Sequence, residues 1–165
     1  MGNNHIVKSP FFMFCILCVV AISVVVLPTN SKIVFDDIYY SQNITYCFYT
    51  NENYAKNGVQ VTDNGISKMI FCDYKDANKI KNSLNSIYGE SICIKNVDKK
   101  DISNIYKKIK NTKVLQENFE NMQVFYCYDT KLSKFVIVDG KKINTQIAVC
   151  SDSITIGYPI ILGEY

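Results

Sequence analysis

The sequence predicts an α+β fold: a mostly antiparallel sheet with two main helices packed on one face, preceded by one N-terminal hydrophobic helix. Three observations carry that expectation. Several short segments are rich in β-branched and aromatic residues, as half-buried strands are. Two stretches switch to three- and four-residue apolar spacing, the period of a helix. Strands fall before, between and after those helices instead of alternating with them one for one, which favours segregated α+β over a doubly wound sheet.

The elements follow in order. Phe11 to Leu27 is an uncharged run closed by Pro28, at the short end for a membrane-spanning helix and long for a signal-peptide core. Residues 1–31 therefore read as an N-terminal membrane anchor or a signal peptide, with Thr29-Asn30-Ser31 offering small residues for cleavage. Lys8 precedes the run, which places residues 32–165 outside the membrane as a single exported α+β domain, membrane-anchored or secreted if cleaved near Ser31. Asn43 to Tyr49 reads as a strand. Val59–Thr62 and Lys68–Cys72 read as two more around an Asp63-Asn64-Gly65 turn. Ala77, Ile80, Leu84 and Ile87 mark a first helix, with Asp73 or Asp76 placed to cap it and Gly89 to end it. Ser91 to Val97 alternates as a strand.

Asp98 opens a second helix with the stripe Ile102, Ile105, Tyr106 and Ile109, and its lysines 99, 100, 107, 108 and 110 fall largely on the opposite side. Met122 to Tyr128 is a further strand. Thr130 to Val138 suits either a short helix capped by Asp129 or a hairpin strand before Asp139-Gly140. Asn144–Val149 and the segment from Ile154 onward form a terminal hairpin, where Pro159 predicts an edge strand. The expected core is Ile44, Tyr46, Phe48, Ile92, Ile94, Ile147, Val149, Ile154 and Ile156, with Tyr, Thr, Gln and Cys on an open second face.

Composition narrows the chemistry. The net charge is +3, every basic residue is Lys, and Trp is absent. Without Arg the chain lacks the bidentate fork that suits phosphates and guanine edges, so no nucleic-acid partner is expected. The one histidine, His5, lies ahead of the apolar run, so Ser-His and Cys-His nucleophile pairs are not available in the exported part. No nucleotide-binding, zinc-protease or hydrolase motif is present. Asp36, Asp37, Asp73 and Asp76 read as caps and turn residues instead of acid–base pairs. The expectation is no enzyme, no catalytic residues, no cofactor and no metal.

Of seven cysteines, Cys15 and Cys18 lie in the apolar run. Cys47, Cys72, Cys93, Cys127 and Cys150 each fall in a predicted strand without metal-ligand spacing. They read as small thiols in a sheet, with one inter-strand disulfide as the alternative. Asn43-Ile44-Thr45 is a glycosylation sequon.

One segment carries a resemblance. Lys142-Ile143-Asn144-Thr145-Gln146-Ile147-Ala148, Thr155-Ile156-Gly157-Tyr158-Pro159-Ile160-Ile161 and Glu164-Tyr165, with the strand through Tyr126-Cys127-Tyr128 upstream, resemble the YwmB-like family of spore-forming Gram-positive bacteria. The resemblance covers the C-terminal half only. The chain departs from the family pattern at Cys150, where a basic residue is usual, and in a shorter loop around Asp152. It implies a TATA-box-binding-protein-like backbone and an envelope or sporulation-associated role, with no defined catalytic residues. The expected partners are the membrane, through the N-terminal segment, and an unknown envelope protein that the domain contacts. An extracytoplasmic ligand-binding module with a Tyr-rich sheet face for a glycan, peptide or lipid is the alternative.

Overall fold

The computed structural model describes residues 43–55, 59–63, 65 and 67–163. The N-terminal helix, His5, Cys15, Cys18, Asp36 and Asp37 lie outside the described residues. Ten strands and two helices follow in the order β1 (Ile44–Thr50), β2 (Gln60–Asp63), β3 (Lys68–Asp73), α1 (Tyr74–Lys81), β4 (Gly89–Lys95), α2 (Lys99–Ile109), β5 (Lys113–Asn118), β6 (Met122–Cys127), β7 (Val136–Val138), β8 (Lys141–Ile143), β9 (Thr145–Cys150) and β10 (Ser153–Tyr158). Eight strands form one antiparallel sheet in the order β2-β3-β1-β4-β10-β9-β6-β5, and β7 and β8 form a separate hairpin. The fold class is α+β, as the sequence predicts.

The alternation of strand residues decides what covers each face. Tyr46 and Phe48, Ile70 and Cys72, Ile92 and Ile94, Phe125 and Cys127, Ile147 and Val149, and Ile154 and Ile156 point to one side. There they pack with Ala77 and Ile80 of α1 and Ile105 and Ile109 of α2. Both helices therefore lie on the same face. Eight of the nine expected core residues are buried there, and Ile44 packs at its margin. Fully burying such an Ile or Phe is worth about 1.5–3 kcal/mol relative to leaving it exposed.

Much of the second face is covered, while Thr45, Cys93 and Cys150 keep some exposure. Val124, Tyr126 and Ala148 are buried under Val138 and Ile143 of the β7–β8 hairpin and under Ile161. Cys47, Tyr49 and Met69 are buried beside Leu162. Gln146 is buried as well and accepts a hydrogen bond from the Ile161 N–H through its Oε1 at 2.9 Å. The polar composition expected of this face is present, but the chain folds back over it. Tyr49 and Tyr126 therefore do not present an open platform.

Several boundaries differ from expectation. Pro159 does not mark an edge strand: β10 lies between β4 and β9, and Pro159 stands just past its last residue, where no ladder hydrogen bond is required of it. From there the chain doubles back across the face it has just left. A Cβ on Gly157 would stand 2.6 Å from the Ile161 N and Cγ1, so only glycine leaves room for the returning strand end. The same return brings Gly163 over Met69.

The first helix ends at Lys81, not at Gly89, which opens β4. Ser83 donates its backbone N–H and its hydroxyl to the Ile80 carbonyl, and Leu84 N–H reaches the Lys81 carbonyl, so a polar turn replaces further helix. Leu84 and Ile87 keep their core contacts from that turn. Asp73 occupies the cap position without a side-chain cap hydrogen bond, and Asp76 is exposed in the first turn. The second helix carries a capping box: Asp98 accepts from the Asp101 N–H at 2.8 Å while Asp101 accepts from the Asp98 N–H.

Strand β4 ends at Lys95, since Asn96 adopts a left-handed conformation with φ of 59°. Strand β5 has no counterpart in the sequence reading, because an irregularity between Lys113 and Leu115 breaks the two-residue alternation by which a strand is recognised. The stretch Thr130–Val138 resolves as a turn, an irregular segment and then β7, paired to β8 around Asp139 and Gly140. Both turn residues have positive φ, as a tight hairpin turn demands. Asn144, fully buried, holds this segment in place: its Oδ1 accepts from the Asp129 N–H at 2.8 Å, and its amide donates to the Asp129 and Leu132 carbonyls.

Candidate functional site

Strand β4 places a carboxylate where apolar residues are expected. Glu90 shares its side of the strand with Ile92 and Ile94, so it points into the helix-side core and is 4% exposed. A charge in that position requires a partner. Helix α1 supplies one: its last residue, Lys81, is 8% exposed, and its Nζ donates to Glu90 Oε1 at 2.5 Å. The Tyr46 hydroxyl, from the neighbouring strand, donates to Glu90 Oε2. Both carboxylate oxygens are thereby engaged, one by a cation and one by a phenol, the stronger class of hydrogen bond in each case.

A second lysine borders this pair. Lys134 reaches over from the segment before β7, and its Nζ donates to the Ile87 carbonyl at 3.0 Å. Its backbone N–H donates to the Tyr158 hydroxyl at 2.9 Å. Burial pushes the Lys134 ammonium below its ordinary pKa; Glu90 pulls it back up, and the charge of Lys81 adds to the downward push. The cluster so formed joins the end of α1, the start of β4, the end of β10 and the segment before β7. Chemically it is a closed arrangement: the Glu90 carboxylate faces protein donors, not an opening where a substrate proton would arrive.

The sequence predicts no catalytic, cofactor-binding or metal residues, and its motifs do not mark these three charged residues. A signal for Glu90 was there to find. Beginning the strand at Gly89 puts Glu90 in step with Ile92 and Ile94, whereas beginning it at Ser91 leaves Glu90 in a loop. Lys81 and Lys134 carry no comparable signal, since lysines are frequent throughout the chain and the pairing spans different elements. Among the described residues, no group of three or more His, Cys, Asp and Glu side chains stands close enough to hold a metal ion. No described helix is long and apolar enough to cross a membrane.

No family model, curated protein or solved structure matches this chain.

The five sheet cysteines are free thiols. The strand register explains why: Cys47 faces Phe71 and Ser91, Cys72 faces Tyr46, Cys93 faces Thr45 and Thr155, Cys127 faces Lys113 and Thr145, and Cys150 faces Met122. No two stand opposite each other, as a cross-strand bond would need. Burial pushes the thiols of Cys47 and Cys72 up to about 12 and that of Cys127 up to about 11, so these three are held as unreactive thiols. On α2, Lys99, Lys100 and Lys107 are exposed, as is Lys110 just after it. Asn43 of the sequon is exposed immediately before β1.

Proposed function

We propose that this chain is a non-catalytic exported protein of a bacterial envelope, related to the YwmB-like family and acting through protein contacts. In this reading the N-terminal apolar segment holds it at the membrane, and the α+β domain stands on the outer side. The observation that carries the non-catalytic part is the closed Glu90–Lys81–Tyr46 cluster. The one set of buried charges described above is spent on joining segments of the fold, with both carboxylate oxygens engaged from within.

The covered sheet adds support for contact through the periphery. With α1 and α2 on one face and the β7–β8 hairpin and C-terminal segment on the other, the sheet offers partners its two edges and its loops. Among the described residues strand β5 pairs only with β6, and an edge of that kind accepts an added strand from a partner. The apolar run from Phe11 to Leu27, preceded by Lys8, supports export. The sporulation link rests on the C-terminal resemblance.

Protease shaving of intact cells tests the topology. Digestion of the 32–165 portion from outside, with protection only of the N-terminal segment, is the expected result. Full protection of that portion until the membrane is permeabilised overturns the reading.

A further inference from the structure

The outward side of the β7–β8 hairpin exposes large apolar side chains. Val136, Val138 and Ile143 turn toward the sheet, which leaves Phe135 and Ile137 pointing away. These two are the most exposed large hydrophobic side chains described, at 44% and 52%. Ile137 stands opposite Lys142 across the hairpin, and the Lys142 Nζ lies over the Phe135 ring, 4.5 Å from its centroid. Lys141 and Lys131 are exposed nearby in sequence, with Asp139 at the turn.

We propose that this hairpin docks on an anionic lipid surface, with Phe135 and Ile137 entering the interfacial layer and Lys142, on the same side of the hairpin, meeting a lipid phosphate. The inference rests on the membrane placement proposed above and adds the surface that faces the bilayer. Charge complementarity selects this occupant. A bilayer interface takes an aromatic and an aliphatic side chain below the phosphates and cations at their level. Lys142 is already held beside the ring, so a cation accompanies the aromatic group to the headgroup layer. Helix α2 has the larger number of lysines but buries Ile105 and Ile109 in the core, and its exposed Tyr106 donates its hydroxyl to Gln123. It offers charge without an apolar group to insert.

Because the chain has no Trp, a single introduced indole reports its own surroundings. The full chain carrying Phe135→Trp is reconstituted with vesicles of phosphatidylcholine alone or of phosphatidylcholine with phosphatidylglycerol. The expected result is a blue shift and quenching by brominated lipid only with phosphatidylglycerol, reversed by high salt. Adding Lys142→Glu should weaken the response at least about fivefold for the positive charge removed. A chain with Val61→Trp instead, on the far edge strand β2, should stay unquenched. Emission from residue 135 that ignores phosphatidylglycerol overturns the proposal, as does equal quenching at residue 61. Flotation of the unaltered chain with neutral vesicles reads the anchor separately. Failure there removes the N-terminal anchoring while leaving the response at residue 135 to decide the hairpin.

Discussion

Replacing Glu90 by Gln isolates the energetic role of the buried cluster. The amide keeps the size of the carboxylate and can still accept from the Tyr46 hydroxyl, so shape and one hydrogen bond are retained. What disappears is the negative charge beside Lys81, whose ammonium is 8% exposed and bonded to Glu90 Oε1. Lys134 loses at the same time the Glu90 charge that raises its pKa, leaving burial and the charge of Lys81 to act against its protonated form. Removing one partner of a buried ion pair costs about 3–5 kcal/mol, because the other is left uncompensated. Two lysines lean on this carboxylate, so Glu90→Gln should fall in that range, a large share of a typical domain's 5–15 kcal/mol. The double substitution Lys81→Met with Glu90→Gln removes the stranded charge together with its partner. It should recover at least about 2 kcal/mol of the single-variant loss, since replacing a whole buried pair is often close to neutral. Equilibrium urea unfolding followed by far-ultraviolet circular dichroism gives the three free energies and their coupling. A loss below about 1 kcal/mol for Glu90→Gln, or a double variant as unstable as the single, would refute the argument that the pair is buried and interdependent.

Three further outcomes follow from the same structure. Gly157→Ala puts a methyl group 2.6 Å from the Ile161 backbone, so the C-terminal segment must lift; a loss of about 1–3 kcal/mol is expected, with faster hydrogen exchange at residues 160–163, and unchanged exchange there would contradict it. Asn144→Leu leaves the Asp129 N–H and the Asp129 and Leu132 carbonyls without their partner and should cost about 2–4 kcal/mol by thermal or urea unfolding, with Asn144→Asp intermediate. Raising the pH above the ordinary thiol value of 9.0 should destabilise the fold. Cys47, Cys72 and Cys127 keep their protons in the folded state up to about 11–12 while the unfolded chain releases them, so stability present below 9.0 is lost as pH rises through the folded values. Lys134 acts oppositely between its lowered pKa and 10.5, but as one group against three, so urea midpoints should fall from pH 8 to 10.5, and a flat or rising profile would contradict this.

Much of the fold was legible because its elements obey local periods. Tyr46 and Phe48, Ile92 and Ile94, and Ile154 and Ile156 alternate, and alternation specifies a buried face whatever the neighbouring strand turns out to be. Asp98 and Asp101 announce the start of α2 by a capping pattern confined to a single turn. Elements without such a local mark are not legible in the sequence. The irregularity after Lys113 hides β5, and the Ser83 turn ends α1 inside a continuing apolar period.

What the sequence by itself determined is therefore the α+β class, the helix-side core and the absence of a recognised catalytic motif, all of which depend on residues close together along the chain. The tertiary structure alone decided that β10 is central, since strand order is set by pairing between distant segments and Pro159 merely stands past the last ladder bond. It also decided that much of the polar face is covered, because Gly157 admits the returning chain over it. The meeting of Lys81, Glu90 and Lys134 belongs to the same category: a buried carboxylate is stable only where folding brings it a cation, and that cation comes from another element of the chain.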